Sequence, residues 1–350
     1  MNIFAIETSC DETSAAIVKD GIDVQSLTIS SQIKIHSEFF GVVPELASRA
    51  HTENINWVLG ETIKKAGFTF KDFEKKIDAV AWTAGPGLAG ALLVGAVAAK
   101  SLASVFKKPS VSVNHLEGHL YSAFINQDDQ DGGKKNIKIK FPFLGMIISG
   151  GHTEMIAVED FGKYKILGQT RDDAAGEAFD KAAKMLGLFY PGGPIIDKKA
   201  QKGRADYIFF TRPYLKDSYD FSFSGIKTAL LNYLKKNPLK NEKELNNICA
   251  SFRQAIAETL CFKAFKAAKD YKIKNIALGG GVCANSLIRK MFLETAAKNN
   301  IKVFMPNLLY SADNAAMIGS AAYYKIKKIG FCKDSITMSP NLKLESWSNK

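Results

Sequence analysis

The sequence predicts an α/β protein built from two related halves. Its 350 residues, of which 46% are hydrophobic, are enough for two separate cores. A strand, a polar or glycine-rich turn and a return strand occur at the start of the chain and again about 140 residues later, which indicates a weak internal repeat. Glycine-rich turns also follow buried-type strands and precede helices, as at 84–90 and 279–285. Paired halves of this kind typically face each other across a nucleotide cleft.

Composition narrows the class of protein. The formal net charge of +12 fits an anionic partner such as RNA, and it fits a Lys-rich solvated surface equally well. The five Cys residues contain no C-x-x-C motif, which disfavours a zinc ribbon and a disulfide framework and suits a reducing compartment. No apolar stretch reaches membrane-spanning length, and an apolar strand begins at once without a signal peptide before it. We therefore expect a cytoplasmic protein with no membrane partner.

The first half opens with a hairpin whose turn is acidic. Asn2–Glu7 is expected to be a strand, 8–14 a polar turn and 15–19 the return strand. Hydroxyl and backbone N–H groups in such a turn suit a phosphate, and Asp11 and Glu12 could position a metal or a water molecule beside it. The alternative is an ordinary solvated turn.

The rest of the first half alternates helices and strands. We expect a helix over 45–65, a buried strand over 77–83, the glycine-rich turn 84–90 and an apolar helix ending at Val105. That turn is typical of anion sites, although glycines also allow a helix to pack closely on a sheet. The polar stretch 127–140 is expected to be a surface loop between the halves. The predicted domains are an N-terminal lobe at 1–130, a C-terminal lobe with a helical insertion at 141–330, and a tail at 331–350.

A histidine pair follows the strand 110–113 and indicates a metal site. His115 and His119 are four residues apart, so on a helix both imidazoles project from one face and can bind one ion. In the zincin pattern a Glu directly follows the first His, but here Glu117 lies roughly 200° around the helix from His115. Asp313 also follows a strand and begins a helix, and we expect it to be the third ligand. Two His and one carboxylate suit Zn²⁺ or Fe²⁺.

The second half repeats the hairpin with a different turn. A strand over 143–148 leads into Ser149, Gly150, Gly151 and His152, and a return strand is expected over 154–158. Residues 171–181 are expected to open a helix with acids in its first turn. The glycines of 190–194 allow close approach of a ligand to the backbone, and Asp197 follows on a short helix. After the strand 275–278, glycines and Asn285 could hold an adenine or ribose edge.

Taken together, these motifs resemble the family of tRNA adenosine threonylcarbamoyltransferases, the TsaD group of the actin-like and sugar-kinase-like ATPase superfamily. The resemblance runs from Ile6 to about Ala322. The motifs that carry it are residues 7–13, 44–49, 114–119, 149–153, 172–181, 221–227, 280–285 and 313–314. It implies two actin-like (ribonuclease H-like) lobes facing a nucleotide and metal cleft.

The resemblance also implies the reaction and its residues. Threonylcarbamoyl-adenylate would donate its threonylcarbamoyl group to N6 of the adenosine next to the anticodon (position 37) in tRNAs that read codons starting with A, with release of AMP. His115, His119 and Asp313 would bind one divalent metal ion per subunit, Fe²⁺ in the first place and Zn²⁺ as the alternative. The residues that would contact the nucleotide-bearing substrate are Ile148, Ser149, Gly150, Gly151, His152, Asp180, Gly193, Asp197 and Asn285. Asp11 and Glu12 are the candidate catalytic acids.

Partners and rival functions follow from the same comparison. Family members in bacteria require a smaller actin-like paralogue, TsaB, and a separate ATPase, TsaE, and we expect both here besides tRNA. Four positions depart from the family pattern, namely Phe40 in place of Gly, Ser311-Ala312 in place of Cys-Thr, and Cys283 in place of Ala. The alternatives are a metal-dependent peptidase, a small-molecule kinase of the same superfamily, and a non-catalytic tRNA-binding scaffold subunit.

Overall fold

The computed structural model describes residues 1–128, 134–135, 137–215, 217–331 and 338–348. It divides into two compact units. Unit 1 comprises Met1–Ile139, Asp160–Tyr164 and Pro306–Lys350, and unit 2 comprises Lys140–Glu159 and Lys165–Met305. The expected boundaries differ from this division, because they assigned the last helix to the C-terminal lobe.

The strands and helices largely follow the sequence-based expectation. The strands are β1 Asn2–Glu7, β2 Glu12–Lys19, β3 Asp23–Ser31, β4 Ala79–Gly85, β5 Ser110–Asn114, β6 Gln127–Asp128, β7 Lys134–Lys135, β8 Phe143–Ile148, β9 Thr153–Asp160, β10 Lys163–Gln169, β11 Asn275–Gly279 and β12 Lys302–Phe304. The helices are α1 Ile33–Ser37, α2 Pro44–Lys65, α3 Phe70–Lys76, α4 Ala89–Val105, α5 His115–Tyr121, α6 Ala175–Met185, α7 Gly192–Ala200, α8 Ser224–Lys236, α9 Glu242–Asp270, α10 Ser286–Asn299 and α11 Ala315–Ile329. Strands β3, β6, β7 and β10 are additions to the expected set. The short strands β6 and β7 lie in the stretch 127–140 that was expected to be a surface loop, and residues 129–133 and 136 of that stretch lie outside the described residues.

The two main sheets have the same topology, which confirms the predicted repeat. One sheet has the order β3-β2-β1-β4-β5 and the other β10-β9-β8-β11-β12. In each sheet a hairpin is followed by two strands that lie parallel to its first strand. The carboxyl ends of parallel strands meet at one edge, which is where such folds hold ligands. The α/β class is therefore confirmed.

Burial on both sheet faces explains the apolar runs in the central strands. Residues Ile3 to Ile6 of β1 are fully buried, and every residue of β8 is buried. On one face of the first sheet, Phe4 and Trp82 pack with the α2 and α4 side chains. On the other face α11 packs against β1, and Gly319 allows the close approach to Val18. This packing places α11 in unit 1. No helix within the described residues is long and apolar enough to cross a membrane.

Candidate functional site

The short helix α5 carries the histidine pair directly after β5. Asn114 caps it, since its Oδ1 accepts a hydrogen bond of 2.9 Å from the Leu116 N–H. All seven residues of the helix are buried. Gly118 lets the helix pack against Met317 and Ile318 of α11, because a Cβ there would come within 2.8 Å of the Ile318 side chain. The glycine therefore allows α5 to pack closely against α11, the helix that follows Asp313.

His115, His119 and Asp313 come together in unit 1, as the sequence predicted. Their ligand atoms all lie within 4.8 Å of one another. The Oδ1 atom of Asp313 is 3.1 Å from Nε2 of His119 and 3.6 Å from Nε2 of His115. Metal–ligand bonds of 2.0–2.1 Å at tetrahedral angles require ligand atoms roughly 3.3 Å apart. The spacing to Asp313 thus suits one small divalent ion.

The ring nitrogens of His119 indicate whether a metal ion fits at this site. The side chain is fully buried, and neither Nδ1 nor Nε2 has a hydrogen-bond partner within the described part of the chain. Although the 3.1 Å separation from Asp313 counts as an ion pair by distance, it does not satisfy hydrogen-bond geometry. Buried polar atoms without partners are costly, and an ion at Nε2 would satisfy this one. The residues therefore fit a resident metal.

Glu7 contacts His115 at Nδ1, the ring nitrogen that does not face Asp313. Its Oε2 lies 3.2 Å from His115 Nδ1, and it also accepts from Thr83 Oγ1 at 2.6 Å. Burial raises the pKa of Glu7, but the neighbouring His115 outweighs it and the net pKa is lowered. Burial lowers the pKa of His115, whereas Asp313 and Glu7 raise it, to about 9 overall. A carboxylate on the far nitrogen of a metal-binding His fixes its ring and tautomer.

Glu117 faces away from the histidines, as its position on the helix predicted. It is 2% exposed, and its Oε1 accepts a hydrogen bond from Trp347 Nε1. Trp347 belongs to the C-terminal strap, residues 338–348, which also contacts Asn114 through the Lys343 carbonyl at 2.9 Å. Because the Glu117 carboxyl is held by an indole on the other side of α5, it cannot serve as the base of a zincin-type peptidase.

The acidic turn of the first hairpin is held by His51 of α2. His51 Nε2 lies 2.9 Å from the Cys10 carbonyl and Nδ1 lies 2.8 Å from Thr13 Oγ1. Burial lowers the pKa of His51, so the neutral ring donates to the carbonyl and accepts from the hydroxyl. Within the turn Asp11 is 8% exposed, and Glu12 begins β2 instead of lying in the turn as expected. Burial and the Asp11 carboxylate raise the pKa of Glu12 well above its usual range.

The corresponding turn in unit 2 is open. Two hydrogen bonds join the ends of this exposed turn. The Ser149 N–H donates to the His152 carbonyl at 2.8 Å, and the His152 N–H donates to Ser149 Oγ at 3.1 Å. Gly150 and Gly151 are exposed, and a Cβ on either would meet nothing within 4 Å. Ile148 is the buried end of β8. The turn therefore exposes bare backbone at the carboxyl end of a strand, which suits close contact with a phosphate.

The other predicted substrate residues lie in unit 2 as helix-positioning groups. Asp180 accepts from the Gly192 N–H at 2.7 Å, next to Gly193 in the first turn of α7. Asn285 caps α10 by accepting from Leu287 N–H at 3.1 Å. Asp197 accepts from Ser286 N–H at 3.1 Å, and it pairs with Arg253 at 2.7 Å. The carboxylate of Asp197 thus links α7, α9 and the start of α10.

Several residues of these networks escaped the sequence analysis. No spacing pattern reveals Glu7, His51 or Arg253, because their partners are distant in the chain. Glu7 and its partner His115 are 108 residues apart, and Arg253 and Asp197 are 56 apart. His51 is 38 residues from Thr13 and 41 from Cys10. The strap was expected to be a simple tail. A signal did exist for Glu7, since an ionisable residue that directly follows an apolar run, here residues 3–6, requires a partner when the strand is buried.

The departures from the family pattern leave the proposed ligands in place. Phe40 has a φ of 54°, the left-handed region in which the usual Gly is unstrained. Ser311 is buried and donates to the Asn307 carbonyl at 3.1 Å, two residues before Asp313. Cys283 is buried in the core of unit 2.

Comparison with known proteins gives consistent results. The family model described as tRNA N6-adenosine threonylcarbamoyltransferase (TsaD) matches residues 23–320. A protein of that name from Endomicrobium trichonymphae is 68% identical, with 99% of each chain covered. Another, from Clostridium perfringens strain SM101, is 51% identical, with 98% of each chain covered.

Solved structures match the fold at low sequence identity. A HypF from T. kodakarensis has a TM-score of 0.59 at 15% identity, covering 97% of this chain and 49% of that one. An activator of 2-hydroxyisocaproyl-CoA dehydratase from Clostridium difficile, solved with ADPNP, has a TM-score of 0.52 at 15% identity and covers 94% and 96% of the two chains. At this identity the likeness concerns the fold alone, which confirms the actin-like prediction.

Proposed function

The chain belongs to the tRNA N6-adenosine threonylcarbamoyltransferase family, and on that premise we propose which of its residues bind the metal, hold the donor and move the proton. The activity itself, transfer of a threonylcarbamoyl group to an adenosine of tRNA, follows from membership. The observation that carries the residue assignment is the cluster of the buried His115 and His119 with the partly buried Asp313.

The cluster is proposed to hold one divalent ion, Fe²⁺ with Zn²⁺ as the alternative. Imidazole nitrogens and a carboxylate oxygen are ligands that both ions accept. Such an ion, when bound, supplies a Lewis acid that polarises a carbonyl and stabilises the charge that develops on it. Glu7 would accept the proton of His115 Nδ1, so that Nε2 is the nitrogen that would bind the ion once the ion has displaced the Nε2 proton.

Unit 2 is proposed to hold the donor, threonylcarbamoyl-adenylate. The segment 148–152 offers backbone N–H groups to the phosphate, since Gly150 and Gly151 leave the turn open. Asp180 and Asp197 fix α7, so that Gly193 and Asn285 can approach the nucleoside part. Ordered backbone amides of this kind position a ligand with little loss of entropy at the moment of reaction.

The transfer forms one bond and breaks one. The adenosine N6 attacks the carbamoyl carbon, the bond from that carbon to the phosphate oxygen breaks, and AMP leaves with the electron pair. The nitrogen must lose a proton, and Asp11 and Glu12 are proposed to receive it. Burial and the neighbouring Asp11 raise the pKa of Glu12, so they favour the form of this carboxyl group that has accepted a proton.

The proposal includes partners and a compartment. A smaller actin-like paralogue (TsaB) and an ATPase (TsaE) are expected to assist the chain, and a separate enzyme must supply the adenylate. The cytoplasm is the expected location because unmodified tRNA is present there. The cysteines at positions 10, 249, 261 and 283, which are those that the structure describes, form no disulfide with one another, and this agrees with a reducing compartment.

Nucleoside mass spectrometry tests the proposal. Unmodified tRNA would be incubated with this protein, Fe²⁺ or Zn²⁺ and synthetic threonylcarbamoyl-adenylate, with and without the two partners. Threonylcarbamoyladenosine is expected in the wild-type reaction and absent with the metal-ligand variants. Product of equal yield from an Asp313→Ala protein would refute the metal assignment. Peptide hydrolysis or phosphate transfer to a small molecule would favour the peptidase or the kinase.

A further inference from the structure

The positive charge of the protein is concentrated in unit 2. This unit contains 26 Lys and Arg residues against 15 Asp and Glu, whereas unit 1 contains 21 against 20. Almost the whole net charge of +12 therefore belongs to one unit. A charge that is confined to one of two units of equal topology is better explained by an anionic partner of that unit than by a uniformly Lys-rich composition.

A basic groove lies between α7 and the start of α9. Its volume is about 460 Å³, and Lys198, Lys199 and Lys202 line it. Lys199 pairs with Glu242 across the groove at 3.2 Å. Lys198 and Lys202 are exposed and have no ion-pair partner among the residues that the structure describes. Two ammonium groups, four residues apart, are thus available to anions.

The groove also contains an unsatisfied amide. Asn246, which is 7% exposed, is part of the lining, and its Oδ1 has no hydrogen-bond partner within the described chain. An RNA backbone offers a phosphate for the ammonium groups, and its 2′-hydroxyl is a donor for the Asn246 amide oxygen once that side chain turns from its buried position toward the groove. In addition, Gly193 and Asp197 lie on the same helix, α7, as Lys198.

We propose that the groove formed by Lys198, Lys199, Lys202 and Asn246 binds the sugar–phosphate backbone of the tRNA substrate. The inference rests on the proposed function, because it assumes that α7 also holds the donor. The contact is with the backbone, so it fixes the position of the tRNA and does not read its sequence.

The salt dependence of tRNA binding tests the groove. Affinity of the full chain for unmodified tRNA would be measured at several salt concentrations for the wild type and for a Lys198→Ala/Lys202→Ala variant. Each lost phosphate contact is expected to reduce the slope of log affinity against log salt by about 1, so we expect a change of roughly 1 to 2. The control is Lys71→Ala/Lys75→Ala, an equally spaced exposed pair on α3 of unit 1.

The transfer assay separates failure of the groove from failure of the function. In the groove variant the KM for tRNA is expected to rise roughly 10-fold while kcat at saturating tRNA stays unchanged. If the wild type transfers the group and both double variants have its slope and KM, the groove proposal is overturned and the function stands. If the wild type makes no product, the proposed function fails first.

A second observation, in unit 1, concerns the C-terminal strap. The strap contacts the metal helix twice, through Lys343 O with Asn114 and through Trp347 with Glu117. It is anchored elsewhere by Ser339 N–H to Ala84 O at 2.8 Å and by Trp347 N–H to Gly162 O at 2.8 Å. The Trp347 ring also lies beside Tyr121, the last residue of α5, with centroids 6.2 Å apart.

These contacts matter because α5 has only seven residues. A helix of two turns is marginal by itself and takes its position from what it packs against. The strap bonds to Asn114 at the N-cap and to Glu117 in the first turn, on either side of His115 in sequence. We infer that Trp347 is a positioning residue, which holds α5 so that His115 and His119 remain aligned with Asp313.

Metal affinity measured by chelator competition tests this role. Trp347→Phe keeps an aromatic ring but removes the indole N–H, and we expect the affinity for Zn²⁺ or Fe²⁺ to fall roughly 10-fold, as for other groups that orient metal ligands. Trp57→Phe, on the exposed face of α2, should bind like the wild type. Phe73→Leu, in the apolar core of unit 1, controls for loss of stability alone.

Hydrogen exchange gives a readout independent of activity. Coupling between two sites is reciprocal, so metal binding should slow exchange of the Trp347 amide in the wild-type protein. Equal metal affinity in the wild type, Trp347→Phe and Phe73→Leu would overturn the inference about the strap. A wild type that binds no metal would instead overturn the metal site itself.

Discussion

The two hairpin turns occupy equivalent places in two sheets of equal topology, yet one is held by buried side chains and the other is exposed. In unit 1 the turn after β1 is fixed on several sides, with His51 holding Cys10 and Thr13. In unit 2 the turn after β8 contains two exposed glycines, Gly150 and Gly151, on which an added Cβ would meet nothing within 4 Å. A repeated scaffold therefore supplies one rigid set of side chains and one accessible stretch of backbone.

The chemistry of each unit follows from this difference. Fixed side chains with buried partners can hold a metal ion at set distances, which requires the preorganised Glu7 and His115 pair. Open backbone can approach a phosphate but cannot supply such ligands. The same contrast extends to charge, because unit 1 is nearly neutral and unit 2 carries the excess of Lys and Arg.

The largest effect is expected from removing a metal ligand in unit 1. His115→Ala and Asp313→Ala should each lose both stoichiometric metal, measured by elemental analysis, and transferase activity by at least about 100-fold. His152→Ala, in the turn of unit 2, should keep the metal and weaken only use of the donor. Metal loss in the His152 variant, or retained metal in either ligand variant, would contradict the proposal that unit 1 binds the metal and unit 2 binds the donor.

A smaller effect is expected from closing the open turn of unit 2. Gly151→Val adds a side chain where the backbone has free space, so the protein should fold, but the added atoms occupy the path of a phosphate. The KM for threonylcarbamoyl-adenylate should rise roughly 10-fold with metal content unchanged. Gly60→Val, in equally open space on α2 of unit 1, is the matched control. An unchanged KM in the Gly151 variant would show that the turn does not contact the donor.

The sequence predicted the parts of the site that repeat or have a fixed spacing. The histidine pair follows from four-residue spacing. Asp313 was expected directly between a strand and a helix, but β12 ends at Phe304 in unit 2, and Asp313 precedes Asn314, the N-cap of α11 in unit 1. The roles of His51, Arg253 and Trp347 could not be predicted, because each depends on a partner at least 38 residues away in the chain. The same limit explains why α11 was assigned to the wrong half. Its packing on β1 is a tertiary contact between the two ends of unit 1.

The smallest effect is expected from a cluster of charged side chains in unit 2 that, unlike the charged cluster of unit 1, is not proposed to bind a metal. Asp173 contacts Lys181 at 2.7 Å and Lys227 at 2.5 Å. Burial alone would raise the pKa of Asp173, but the two lysines lower it below the ordinary value of 3.8. A carboxyl with a depressed pKa in the folded state stabilises that state above its ordinary pKa, and the contribution disappears as the pH falls through the lowered one.

Asp173→Asn should therefore reduce the free energy of unfolding by about 1 kcal/mol near neutral pH, after allowance for solvent screening of the two lysines. The difference from wild type should shrink below about pH 4, where the wild-type carboxyl also becomes neutral. Urea unfolding at a series of pH values measures it, with Asp206→Asn in the exposed Arg204 pair as the control. A difference that stays constant with pH would mean that the shape of the side chain, and not its charge, stabilises unit 2.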